Sequence, residues 1–380
     1  MTEPPLELPK PVCDLARLTR ATLAGESVRG FTIDRDLADF AIGRHKCGPL
    51  LHRATLVGAQ ADDAARAMLS EHWDENKRQQ LRNLLSTERV AAALAKAAIP
   101  ALIFKGAPLA QALYPDPLWR HCGDVDVLVP SNFMVEALKA LTEAGFRSDD
   151  PLLSAPPAIQ RFVFRITRDA PVDDSWTRSH VEVHSRFLFS KRLSQFLARR
   201  DDTMRPRPIT PEGSLAAPAI DVSLALYLIL HGCISGWCRL KWLVDLMPLL
   251  EKLGPAGRQS LADDAERSRT AAAVKASLLL LRAAFGDLDL APLDAWIAES
   301  AGAAAVQSRA RRYAAWLSAD GARVPLASRN EIFKSTVLLN DRLSDQVLTL
   351  LASGFSSGVR QIAGAVAGGR GKATALSTIS

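Results

Sequence analysis

Two aspartates stand two residues apart in Gly123-Asp-Val-Asp-Val-Leu-Val129. The alternation predicts a strand, with Asp124 and Asp126 projecting from one face while Val125 and Val127 turn to the other. Carboxylates held this close raise the energy of each other's charged forms unless a cation lies between them. Hard oxygen donors of this kind suit Mg²⁺ or Mn²⁺, and such metals clamp the attacking and leaving oxygens of a phosphoryl displacement. A second acidic strand is legible at His180-Val-Glu-Val-His184. It sets Glu182 between His180 and His184, as a third metal carboxylate and a general base for an attacking hydroxyl. Each motif also has a plainer reading. Asp-x-Asp occurs on solvated strand faces, and His-x-Glu-x-His is what the wet face of an edge strand looks like. Zinc is the weaker choice of metal, since its sites combine His with several Cys or a helix-borne pair.

The acids need elements to hold them, and these are legible just upstream. The apolar run Pro100-Ala-Leu-Ile-Phe104 predicts a buried strand. It is followed by Lys105-Gly106-Ala107 and by a helix with Pro108 in its first turn that runs to Tyr114. A strand, Gly turn and helix present free backbone N–H groups to an anion such as a triphosphate, and Lys105 adds a point charge. The alternative is that Gly106 only makes a tight turn and Lys105 is solvated. Pro115-Asp-Pro117 ends the helix, and another is predicted from Asn132 to Ala144.

The rest of the chain divides by pattern. Residues 1–35, with Pro4, Pro5, Pro9 and Pro11, read as a loosely ordered leader with room for one short helix, and 36–98 as amphipathic helices. Residues 99–200 hold the acid-bearing strands, and 201–218 form a Pro-rich linker. Residues 219–345 are a helical domain, and 346–380 a flexible Gly/Ala/Ser-rich tail. Within the helical half, His231, Arg239 and Asp245 are polar groups in an apolar setting. They pair with one another or face the cleft, and pairing is favoured for Arg239 and Asp245. Trp237 and Trp242 read as packing.

Composition limits the classes. With 380 residues, 48% of them apolar and 23% charged, the chain is neither disordered nor fibrous and is long enough for a sizeable core. A net charge of +6 spread over this length permits a nucleotide or nucleic-acid partner without arguing for one, and nucleic acid is the less favoured partner. Five scattered cysteines, Cys13, Cys47, Cys122, Cys233 and Cys238, suit a reducing compartment. The Pro- and Glu-bearing start does not read as a signal peptide, and Val222 to Cys238 is too short to span a membrane. The expected location is cytoplasmic.

Taken together, Leu102-Ile-Phe-Lys-Gly-Ala107, Tyr114-Pro-Asp116, Arg120, the Asp124/Asp126 strand and His180-Val-Glu-Val-His184 resemble the nucleotidyltransferases of the DNA polymerase beta superfamily. Within it, the sequence resembles a bacterial family of largely uncharacterised members. The segment from His231 through Trp237, Arg239-Leu240 and Trp242 to Asp245 is similar to that family's second signature. The resemblance runs from about Asp36 to Leu253. It implies an α+β protein, with a small mixed-sheet nucleotidyltransferase core, N-terminal helices and a C-terminal helical domain. It further implies Mg²⁺ (or Mn²⁺) on Asp124, Asp126 and Glu182. Lys105, Gly106, Ala107, Arg120 and His184 would bind an NTP, ATP favoured. NMP would pass to an unidentified small molecule, peptide or protein. Ala107 stands where the superfamily usually has Ser, and Glu182 where it mostly has Asp. Phosphoryl transfer in peptide or metabolite tailoring, and a non-catalytic nucleotide- or partner-binding protein, are the alternative readings.

Overall fold

A computed structural model describes residues 6–148, 169–188, 190–200, 202–210, 218–300 and 302–319, with isolated positions at 156, 158, 160, 161, 164 and 339. The elements in order are α1 (Lys10–Ala24), β1 (Thr32–Ile33), α2 (Arg35–Asp39) continuing into a π-helical turn (Phe40–His45), α3 (Gly48–Leu56), β2 (Gln60–Ala61) and α4 (Asp63–Lys96). Then come β3 (Leu102–Ile103), α5 (Ala107–Leu113), β4 (Asp124–Leu128), α6 (Met134–Glu143), β5 (Phe146–Arg147), β6 (Asp169–Asp174) and β7 (His180–His184). The second half is helical: α7 (Lys191–Arg200), α8 (Val222–Ile234), α9 (Leu240–Arg267), α10 (Ala271–Phe285), α11 (Leu293–Ala298) and α12 (Ala304–Leu317). This is the α+β architecture expected of the sequence.

The main sheet has the order β3-β4-β7-β6-β5. β4 and β7 are parallel neighbours, and the other pairings are antiparallel. Val125, Val127, Val181 and Val183 sit on one face and pack with Val90, Ala91 and Leu94 of α4 and with Leu138 and Leu141 of α6. The opposite face carries the acids and looks toward the helical body, to which Leu128, Phe104 and Phe187 belong. Each fully buried aliphatic side chain contributes about 1.5–3 kcal/mol, so the valine face fixes which way the acids point.

Strands β5 and β6 were not legible in the sequence. β6 is Asp-Ala-Pro-Val-Asp-Asp, poor in strand formers. Pro171 is tolerated because β5 reaches only Asp173 and Asp174, so Pro171 lies past its end. Its carbonyl there accepts from Ser148 Oγ at 2.8 Å, so its missing N–H costs no ladder bond.

Two expectations about organisation are corrected. The leader contains α1, which is not loose. Val12, Leu15, Ala16 and Leu18 are buried at three- and four-residue spacing, and Arg20 Nη1 donates to Phe285 O of α10 at 2.7 Å. Proline-rich text here starts a helix, with Pro11 in the first turn, where its missing N–H is harmless. In the expected linker, residues 202–210 are tied to the sheet, because Ala101 and Arg207 exchange N–H···O bonds of 2.8 and 3.1 Å. The helices before and after the sheet also share a single apolar core, from Val12 to Leu317, so the sequence segments are not separate bodies. Residues 346–380 lie outside the described residues. All five cysteines are free thiols. Among the described residues no helix is long and apolar enough to cross a membrane.

Candidate active site

The parallel register of β4 and β7 sets Asp124 beside His180, Asp126 beside Glu182 and Leu128 beside His184. Asp126 is the centre. Its Oδ1 accepts from His184 Nε2 at 2.9 Å and from Lys105 Nζ at 3.3 Å, and His184 Nε2 is also 3.4 Å from Glu182 Oε2. One ligand atom from each of Asp126, Glu182 and His184 lies within 4.8 Å of the others. His180, more exposed, is held by Asp173 at 2.8 Å.

The electrostatics follow from burial. Desolvation pushes the Asp126 carboxyl up, but Lys105 and then the His184 hydrogen bond outweigh it and hold it well below the usual carboxylate range. Burial likewise works against the Lys105 ammonium, and Asp126 more than restores it, so Lys105 stays charged. Glu182 is raised, by burial first and by Asp126 second. His184 gives its Nε2–H to Asp126, while its buried Nδ1 has no hydrogen-bond partner among the described residues.

Backbone elements set these atoms. Gly106 has φ 65° and leads from β3 into α5, and a Cβ there would lie 3.2 Å from the Asp124 carbonyl oxygen. Only glycine accepts both the dihedral and the approach without strain. The segment leading to Asp124, which starts in a 3₁₀ turn at Pro117–Trp119, is gripped by α4. Asn76 and Asn83 side-chain amides donate to Leu118 O and Cys122 O at 2.9 and 3.0 Å, and Gln80 donates to Arg120 O between them. Helical spacings of four and three thus meet every second carbonyl from Leu118 to Cys122.

The expected site residues are distributed as follows. Lys105, Asp126, Glu182 and His184 are brought together, and Gly106 and Ala107 border them. Asp124 lies one step along the same face, outside the close group. β7 is an interior strand between β4 and β6, so His184, 4% exposed in its side chain, is not on a wet edge. Arg120 is corrected. It is buried with its guanidinium forked onto Asp245 of α9, at 2.9 Å from Nε to Oδ1 and 3.0 Å from Nη2 to Oδ2, and is committed there and not to a nucleotide. Asp245 is therefore not paired with Arg239, which lies over the Trp242 ring at 5.6 Å. Tyr114 also donates to Asp245, at 2.7 Å.

Two residues were missed. Tyr227 of α8 hydrogen-bonds Lys105 and packs on Phe104 and Phe187. Lys241 of α9 is electrostatically coupled to Asp124. A lone Tyr in an aliphatic helix and a lone Lys at a helix start carry no signal beyond their types. His231, flagged in the sequence, lies close enough to Asp126 to stabilise its charge. A cavity of about 620 Å³ between α1, the end of α5 and α9 is lined by residues such as Arg20, Tyr114 and Glu251 and contains none of this group.

Acids paired across parallel strands, with a lysine and a glycine turn at their rim, form the kind of site that transfers phosphorus-containing groups. The family model described as "Uncharacterised nucleotidyltransferase" matches residues 36–286. The chain belongs to that family, which makes it a nucleotidyltransferase and implies a nucleoside triphosphate substrate. No curated protein and no solved structure matches it.

Proposed function

We propose that the protein moves an NMP unit from an NTP, ATP being the first to test, to an acceptor hydroxyl on a small molecule, peptide or protein. The observation that carries this reading is the side-by-side register of Asp126 and Glu182, with Lys105 and His184 converging on the same carboxylate. The carboxylates of Asp126 and Glu182, with ligand atoms within 4.8 Å of each other, fit a hard divalent cation by donor chemistry, and the His184 imidazole lies beside them. Asp126 and Glu182 would hold Mg²⁺ or Mn²⁺, with Asp124 next along the strand face. When bound, the ion supplies neutralising charge for the phosphates.

The chain's own residues do the rest. Glu182, whose raised pKa suits a proton acceptor, takes the proton of the acceptor hydroxyl. The hydroxyl oxygen bonds to the α-phosphorus, the bond from that phosphorus to the β-phosphate oxygen breaks, and pyrophosphate leaves. Lys105 is held charged beside the phosphates, and the turn at Gly106 lets the backbone come close to them. The test is incubation with Mg²⁺ or Mn²⁺, α-³²P-labelled NTPs and cell extract. Label on an acceptor with the wild type and none with Asp126→Asn supports transfer, and label carried from γ-³²P instead points to phosphoryl transfer. The Lys105–Asp126 ion pair, which already supplies the aspartate with a cation, favours a second reading as a non-catalytic nucleotide binder. Metal-independent NTP binding with no label transferred selects it.

A further inference from the structure

A ring of contacts near Asp124 collects positive charge from four segments of the chain. The Leu240 N–H donates to His45 Nδ1 at 3.0 Å, which ties the chain at Arg239 and Lys241 to the chain at Lys46, and Arg239 lies close enough to Lys46 to disfavour its charge. Lys241 Nζ donates to His121 O at 3.3 Å. The His121 ring stacks on that of His72, with centroids 5.9 Å apart and planes 18° from parallel. His72 closes the ring over Gly48, where a Cβ would come within 2.8 Å of its Nε2.

This ring holds more positive charge than the acids around it answer. Among the described residues, no ion pair joins Lys46, Arg239 or Lys241 to a carboxylate. Of the acids nearby, Asp245 is committed to Arg120 and Tyr114, and Glu75 to Arg78 and Arg82, which leaves Asp124 as the acid that favours the Lys241 charge. His72 Nε2 and His121 Nδ1 are buried with no hydrogen-bond partner among the described residues. Burial and mutual repulsion act against the charges. Lys46 is lowered by burial and then by Arg239, Lys241 is lowered to about 8 by burial and then by Arg120, and His121 is pushed down to about 2 by burial and the lysines. Three cations and two donor-capable imidazoles, half-buried and gathered from separate segments, cost stability unless an anion shares the space.

We propose that Lys46, His121, Arg239 and Lys241 form a phosphate-binding site beside Asp124, completed by His72. Its ligand is a phosphoryl group with at least two charges, either the terminal phosphates of the NTP or a phosphate carried by the acceptor. The first of these sources rests on the nucleotidyltransferase reading, whereas the phosphate chemistry itself does not. The chain after the π-helical turn and the start of α9 form this site together with the segment before β4.

The test is calorimetric titration of the full-length protein with sodium tripolyphosphate in EDTA, for the wild type, Lys46→Gln and Lys241→Gln. The expected result is saturable, salt-sensitive binding that each substitution weakens about tenfold, the size of one charge-assisted hydrogen bond. Melting temperatures of the ligand-free variants should equal or exceed that of the wild type, because each removes a repelled charge. The same titrations with ATP and AMP separate the sources. Loss for ATP with AMP unchanged assigns the site to the NTP's terminal phosphates, and loss for tripolyphosphate alone assigns it to the acceptor's phosphate. Absence of tripolyphosphate binding to the wild type, or equal binding by all three proteins, overturns the proposal. No turnover is measured, so failure of the labelling experiment leaves this result standing.

Discussion

Two clusters of buried charge in this molecule are built to different rules. Around Asp245, Arg120 supplies a two-pronged fork and Tyr114 a hydroxyl, so both carboxylate oxygens are served. Around Asp126, one oxygen takes both Lys105 and His184, Glu182 is pushed toward its neutral form beside it, and His184 Nδ1 has no partner. The first cluster joins the segment before β4 to α9 across more than a hundred residues and leaves nothing for a ligand. The second is under-neutralised, with Glu182 still 35% exposed in its side chain. Buried charge alone therefore does not mark a site. What separates the two is whether the hydrogen-bonding capacity is used up.

The sharpest way to break this contrast is Asp126→Asn. It keeps the shape and removes the charge on which Lys105 and His184 converge, so transfer should fall about a thousandfold in the labelling assay, the scale on which a focused electrostatic contact acts. Activity within tenfold of the wild type would make the Asp126 cluster structural like the other. Next in size is Arg120→Ala, which strands Asp245 in the core and should cost about 3–5 kcal/mol in urea unfolding. The pair Arg120→Met with Asp245→Leu should recover most of that loss, because no charge is left unpaired. If the double variant unfolds as easily as the single, the network has a role beyond mutual satisfaction.

A smaller effect sharpens the functional side. Glu182 has a folded-state pKa above its unfolded value of about 4.3, by burial and then Asp126. Its stabilising contribution is present below about pH 4 and is lost as pH rises through the folded value. Glu182→Gln should therefore melt higher than the wild type at pH 7, and the advantage should vanish on acidification below about pH 4. A variant that melts lower at pH 7 would place Glu182 among satisfied structural acids. Smallest of all is Glu75→Gln on the exposed face of α4. Its pairs with Arg78 and Arg82 are solvated, and the melting temperature should not move measurably.

Much of the site was legible because a strand's period of two is rigid. Val125, Val127, Val181 and Val183 had to share the core face, which left Asp126 and Glu182 on the other. Lys105 and Gly106 were legible because a glycine between an apolar strand and a helix-starting proline has few uses. Arg120 was misread because its partner lies 125 positions away in sequence. An arginine between a proline turn and an acidic strand looks the same whether it meets a phosphate or an aspartate. His184 was undervalued because an edge strand and an interior strand can share one alternating pattern. β6, rich in Asp with Pro at its third position, is what makes β7 interior.

The sequence by itself determined the local periods, and through them the strands that carry the acids, the glycine turn and the helical character of the rest. These depend on dihedral preference and side-chain alternation within a few residues. The tertiary structure decided the parallel register that sets Asp126 against Glu182 and the choice of His184 over Asp124 in the close group. It also decided the pairing of Arg120 with Asp245 and the gathering of Lys46, His121 and Lys241. Those outcomes depend on which distant surfaces bury each other, and burial is what turns an ordinary Asp, Lys or His into a charge that must be answered.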